Sequence, residues 1–314
     1  RNPSRVLELL SRFNQIRALL VAAHIEVPME LQGAIDRIPP MLRALRLGDG
    51  ALAMFNGGLE EDRSQIDAVL TETGVRGKAL TSAPHSGFQR LVAGRTVIIV
   101  DTGKPPLTGG INAHAGSLSF EMSVGKDRLI VNCGAPGSES DHWLDAMQGT
   151  AAHSTLSADE KDSAQFGSDG SVTTGPSNVE CLRREADGSV WLETSHDGYR
   201  RSIGILHRRK LYLEASGEDF RGEDIIEGSG GNSFNVRFHL HPGVHASRVE
   251  GKSTVLLKLA HGAGWEFQAS GGSIDLEESI YLNGRDEPRR CEQIVISSPL
   301  HGNGAQIKWR LHKI

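Results

Sequence analysis

Ser117-Leu118-Ser119-Phe120-Glu121-Met122-Ser123-Val124 decides the fold class of this chain. Leu118, Phe120, Met122 and Val124 alternate with Ser117, Ser119, Glu121 and Ser123, the period of two expected of a half-buried strand. Just upstream, Phe88–Val92 and Arg95–Val100 form a predicted hairpin around Ala93-Gly94. Downstream, strands are expected over Val179–Arg184, Ser189–Ser195, Gly204–Glu214, Phe234–His241, Thr254–His261, Trp265–Ala269, Ser273–Leu282, Cys291–Ser297 and Gln306–Leu311. Asp187-Gly188 and Asp197-Gly198 supply turn chemistry between them. Glycine is spread between short β-branched runs, 37 residues against 12 prolines, which favours turn-rich antiparallel sheet. About a dozen strands on short loops make an antiparallel sandwich of stacked sheets. The polar segment Glu160–Ser177 reads as a loop.

Before Phe88 the period is helical. Asn2-Pro3 is an N-cap and N1 pair, followed by Val6, Leu9, Leu10, Phe13 and Leu20 at three- and four-residue spacing. A second helical pattern runs through Leu31, Ile35 and Ile38, breaks at Pro39-Pro40, and resumes with Met41, Leu42 and Leu45 before Gly48-Asp49-Gly50. A shorter helix covers Glu61 to Thr71. So few helices cannot close a bundle core, and they read as the end of a larger helical array. The expected class is α+β: a helical segment over residues 1–85, then a large antiparallel multi-sheet sandwich over 86–314.

Composition narrows the function. A net charge of −5 gives no reason to expect nucleic acid as a partner. No apolar run approaches the roughly 18 residues of a membrane span, and no signal peptide is visible behind the charged opening segment. The chain therefore reads as soluble, with a cytoplasmic or a periplasmic site both open. Cys133, Cys181 and Cys291 are far apart and read as buried thiols rather than a disulfide framework. No G-x-S-x-G, H-E-x-x-H or dinucleotide G-x-G-x-x-G occurs. Gly251-Lys252-Ser253-Thr254 copies the tail of a P-loop, but Ala246 stands where the earlier glycine is required and a strand follows, so it is a hairpin turn.

Three segments carry candidate ligands at matching places: His114-Ala115-Gly116-Ser117, Leu129-Ile130-Val131-Asn132-Cys133-Gly134 and Thr150-Ala151-Ala152-His153-Ser154-Thr155. This layout resembles the C-terminal β-domain of the heparinase II/III family of polysaccharide lyases. There a His-x-His-Ala-Asp stretch, an Asp before Cys or Gly, and an Ala-His-Asn-Thr stretch supply a zinc-type site. Arg43-x-x-Arg46-x-Gly48-Asp49-Gly50, Phe55-Asn56-Gly57 and His196-Asp197-Gly198-Tyr199 are further features shared with bacterial members. The resemblance covers nearly the whole chain, as the last helices of an (α/α) toroid plus the sandwich, and implies that most of the toroid lies outside it.

The resemblance implies metal ligands at His114, Asn132 and His153, with zinc as the cofactor suited to imidazole donors. Asn132 stands in place of the family carboxylate, and Gly116 in place of an Asp that would support the site. The alternative is that His114 and His153 are hydrogen-bonded core histidines on neighbouring strands. Elimination from a uronic-acid polymer needs a neutraliser for the carboxylate, a base for the C5 proton and an acid for the leaving O4. In the family these fall mostly on toroid residues. The sandwich would contribute the first His of His-x-His, where this chain has Asn112, its one candidate catalytic residue; where some relatives place a Tyr, it offers Trp143. The implied function is β-elimination on an acidic polysaccharide or oligosaccharide, with this chain alone showing little or no turnover. The rival readings are a non-catalytic glycan-binding or structural module on the same fold and, more remotely, a small-metabolite enzyme.

Other candidates have plainer readings. His239 and His241 share one strand face and read as solvent-side residues before a metal pair. His196 reads as the flank of a tight turn. Arg183-Arg184, Arg200-Arg201 and Arg208-Arg209-Lys210 fall near hairpin ends, where they would block edge-to-edge pairing in preference to meeting an anionic glycan.

Overall fold

A computed structural model describes residues 1–105, 113–137, 143–285, 287–300, 302 and 304–314. Helix α1 (Pro3–Ala22) opens as expected, with the Asn2 side chain accepting from the Arg5 amide and Pro3 in the first turn. Helix α2 (Met29–Ala44) runs through Pro39-Pro40 where a break was expected, and Ile35, Pro39 and Leu42 are buried on one face of it. That apolar contact offsets the two amide bonds the prolines forgo. Helix α3 (Arg63–Glu72) is capped by Asp62, which accepts from the Ser64 amide.

Two large antiparallel sheets follow. The first has nine strands. Across it run Ser82–Ala83, Phe88–Ala93, Thr96–Asp101, Phe120–Val124, Asp127–Val131, Ser233–Leu240, Arg289–Pro299 and Ser273–Tyr281, with Leu156–Ala158 beside Ser233–Leu240. The second has eight: His245–Arg248, Thr254–Lys258, Gly264–Ser270, Gly304–Lys313, Asp219–Gly228, Ile205–Leu213, Ser189–His196 and Val179–Ala186. Gln165–Phe166 and Val172–Thr174 form a small ribbon inside the segment expected to be loop. The expected architecture is therefore present, short helices followed by stacked antiparallel sheets. Among the described residues no helix is long and apolar enough to cross a membrane.

The sheets pack face to face around Phe120, Phe220, Phe238, Phe267 and Trp309, with Trp309 stacked on Phe120 at 5.9 Å between ring centroids. A second core joins Leu7, Leu10, Leu42, Leu45 and Phe55 to Phe88, Val97 and Ile99 of the first sheet. Helices and the loops after them thus cover the outer face of that sheet, and burial on both faces corrects two expectations. Strand Phe120–Val124 is buried at every position, Glu121 and Ser123 included, so it is not half-exposed. His239 is buried as well: it bonds the Ala151 carbonyl (2.9 Å) and the Ser279 hydroxyl (2.7 Å). Two further readings change. Cys181 is exposed, and Arg209 lies mid-strand in the interior rather than at a hairpin end. Arg183 and Arg184 do sit on an edge strand, Val179–Ala186.

Candidate functional site at the helix–sandwich boundary

His114 and His153 come together at the boundary between helices and sandwich. His114 Nδ1 lies 3.1 Å from His153 Nε2, the rings edge to face, and both residues are buried. His153 follows the short 3-10 turn Thr150–Ala152, which the Thr150 hydroxyl ties to the Ala115 carbonyl (2.9 Å). Gly116 is required here: a Cβ at that position would stand 2.6 Å from His153 Cδ2. The glycine that replaces the family Asp is thus what lets the second imidazole pack.

Tautomers follow from the partners. His153 Nδ1 is 2.8 Å from the Gly149 carbonyl, which can only accept, so Nδ1 carries the hydrogen and Nε2 accepts from His114 Nδ1–H. His114 Nε2 is left with its lone pair, buried and without a hydrogen-bond partner among the described residues. Burial, reinforced by the neighbouring His153, holds the His114 pKa well below that of a free histidine, so the ring is neutral. His114 lines a cavity of about 550 Å³ between α1 and the loops around Gly57–Glu61 and Ala135–Gly137. On its wall Arg5 and Arg12 both pair with Glu8, and Glu61 is also present, so this wall brings no surplus positive charge.

Asn132 reaches the residue after His153 with its side-chain amide committed: Oδ1 accepts from the Ser154 amide (3.0 Å) and Nδ2 donates to the Met54 carbonyl (3.4 Å). A zinc site needs at least three donors around one point. Among the described residues no three His, Cys, Asp or Glu side chains are grouped to hold a metal. The described donor set stops at two imidazoles and does not fit zinc. Asn112 lies outside the described residues. Asn56, from the Phe55-Asn56-Gly57 motif, accepts from the His114 amide (3.4 Å) and donates to Asp101 (3.3 Å), tying the helical side to the first sheet.

A buried polar network supports the site from inside the sandwich. Asp224 accepts from His207 Nε2 (2.7 Å), Arg209 Nε (2.7 Å) and Nη2 (3.1 Å), and Trp309 Nε1 (2.9 Å). Burial raises the Asp224 pKa, but Arg209 and His207 outweigh it and hold the carboxyl well below the ordinary range. Arg209 Nη1 then donates to the Leu118 and Ser154 carbonyls, both at 2.9 Å. Leu118 has a positive φ of 62°, outside the strand that begins at Phe120, and Arg209 helps to pin this unfavourable backbone directly after the His114 segment. His196 belongs to the same network, accepting from the Gly198 amide (3.1 Å) and donating to His207 (3.2 Å), and is no mere turn flank. Nothing in the Arg208-Arg209-Lys210 run marked Arg209 as interior; the apolar parity of Ile205, Leu211 and Leu213 was the available signal.

The sequence matches the family described as "Heparinase II/III-like, C-terminal" over residues 75–310. FtsZ-localized protein C of Caulobacter vibrioides is 32% identical over 334 residues, an alignment covering 100% of this chain and 57% of that protein. A heparinase III gene product of known structure superimposes with a TM-score of 0.81 at 14% identity, covering 100% of this chain and 52% of that one. Heparan sulfate lyase HepC from Pedobacter heparinus gives 0.80 at 16% identity, covering 99% and 52%. The structural likenesses, at such low identity, speak for the fold alone, and the chain spans little more than half the length of each relative. The match over residues 75–310 takes in most of the chain and all of the His114–His153 site, and with it the chain belongs to the heparinase II/III-like family.

Proposed function

We propose that this chain is the sandwich-side half of a polysaccharide-lyase-type protein whose complete form cleaves a uronate-containing polysaccharide by β-elimination. The observation that carries this reading is His114: a neutral imidazole, fixed in one tautomer by His153, with an unpartnered Nε2 on a residue that lines a cleft. That nitrogen is buried and has no hydrogen-bond partner among the described residues, so it is an open acceptor that a sugar hydroxyl would fill once the cleft wall over it gives way. Among the described residues the cleft wall carries no surplus positive charge to neutralise a uronate carboxylate, and in this reading that role falls to groups of the complete protein. Residues 1–314 alone are therefore expected to give no measurable turnover.

A second reading, a non-catalytic glycan-binding or structural module, has its own support. The described lining of the cleft contains no tyrosine to act as acid or base, and a relative sharing 32% identity is named for its localisation with FtsZ. One assay separates the readings: ultraviolet absorbance of the unsaturated product on heparan, chondroitin, alginate and hyaluronan. The complete protein should turn over at least one of them and lose at least about 100-fold in rate as His114→Ala. Binding without turnover by the complete protein would establish the second reading instead.

A further inference from the structure

We propose that the outer face of the eight-stranded sheet is a separate binding surface for an anionic polysaccharide, remote from the cleft. The antiparallel register places Arg184, Trp191, Tyr212, Arg221, Arg310 and Gln268 side by side in one row across six strands. Strands stand about 4.8 Å apart, so the row is about 24 Å long, a length that suits several sugar rings. It lies in an open groove of about 850 Å³. Trp191 is 41% exposed, and its ring meets Tyr212 at 4.9 Å with a 39° tilt, giving an aromatic platform open to solvent. The Arg221 guanidinium caps the Tyr212 ring at 5.7 Å.

Burial does not account for this face. The opposite side chains of the same strands, Leu192, Leu211, Phe220 and Trp309, already fill the core. The groove gathers Arg184, Lys210, Arg221, Lys308 and Arg310 against Glu193 and Glu223, with Asp219 pairing Arg221 and Arg310. Five cations against three carboxylates leave a surplus of two positive charges on a chain whose net charge is −5. Aromatic faces pack against the C–H faces of sugar rings, and guanidinium groups pair with carboxylate or sulfate. An extended acidic glycan satisfies both at once. The assignment shares with the cleft reading only the class of ligand and requires no elimination chemistry.

The test is a titration of the chain with heparan sulfate, alginate and polygalacturonate oligosaccharides, with neutral dextran and polyglutamate as controls, followed by tryptophan fluorescence and calorimetry. Trp265 and Trp309 are buried and Trp143 is partly buried against Met147 away from this face, so the change due to the face is the part that Trp191→Ala removes. Trp191→Ala and Arg184→Glu should each raise Kd about tenfold at an unchanged melting temperature, while Arg63→Glu, an exposed charge reversal on α3 outside both the face and the cleft, leaves Kd as it was. Two independent substitutions keep the test sound if one of them unfolds the sheet. Loss of binding in His114→Ala with none in the two face variants would overturn the surface and leave the cleft reading standing. Equal affinity for polyglutamate would overturn it in favour of an acidic protein partner. No binding of any glycan would also overturn it, and the cleft reading would still be judged by turnover of the complete protein.

Discussion

Glu121 shows how one residue's environment reverses its expected behaviour. In an alternating strand it reads as a solvent-side carboxylate, yet it is fully buried, accepting from the Asn132 amide (3.1 Å) with Arg128 Nη1 3.9 Å from its other oxygen. Burial raises its pKa to about 7, against an ordinary 4.5, and Arg128 only partly opposes that. Below about pH 4.5 the folded and unfolded chains both hold the proton and stability is unaffected. Between 4.5 and about 7 the unfolded chain ionises first, so stability falls as pH rises, and above that window the penalty is complete. The shift corresponds to about 3 kcal/mol. Glu121→Gln keeps the acceptor for Asn132 and loses the charge. Urea midpoints should show the variant more stable than the wild type at about pH 8 and equal to it at about pH 4. Parallel pH profiles for the two proteins would sink the assignment.

At the scale of elements, periodicity carried most strands, and its longest omission was Asp219–Gly228. That strand reads Asp-Phe-Arg-Gly-Glu-Asp-Ile-Ile-Glu-Gly, with charges on both faces, and no alternation rule picks it out. It is nonetheless central in its sheet because its inward charge, Asp224, is met by Arg209, His207 and Trp309 from neighbouring strands. Such pairing across the chain is invisible in a local window. The same limit applies to the candidate site. The approach of His114 and His153 was implied by the family resemblance, whereas the commitment of the Asn132 amide and the ordering role of Arg209 depend on contacts with distant strands. Asp224→Asn sets an amide against the donors that surround it and leaves Arg209 buried without its counter-charge. The expected cost is about 3–5 kcal/mol in denaturant unfolding. Because Arg209 also holds the Leu118 and Ser154 carbonyls, hydrogen exchange should quicken at the amides of residues 115–119 and 153–155. A stable variant with unchanged exchange there would show that the network does not position the site.

For the molecule as a whole, the change of periodicity near Phe88 marks a change of secondary structure, while the apolar core runs straight across it. Leu7 and Leu10 of α1, Leu42 of α2, Leu45 and Phe55 pack with Phe88, Val97 and Ile99 of the first sheet. Polar ties cross the same boundary: Arg128 binds Asp49 (2.7 Å) and the Leu52 carbonyl (3.0 Å), and Arg90 donates to the Ala44 carbonyl (3.1 Å). Each large apolar side chain buried there is worth about 1.5–3 kcal/mol before the entropy of ordering the helices is counted, so losing several at once is comparable with the net stability of an ordinary domain, about 5–15 kcal/mol. A fragment of residues 86–314 is therefore expected to bind a hydrophobic dye strongly and to aggregate or melt well below the full chain, since removing the helices strips Phe88, Val97 and Ile99 of their cover and leaves Arg128 without Asp49. Light scattering and thermal unfolding of the two proteins side by side provide the measurement. A monomeric fragment with the melting temperature of the full chain would mean that the sandwich folds independently and that the helices serve only to shape the cleft.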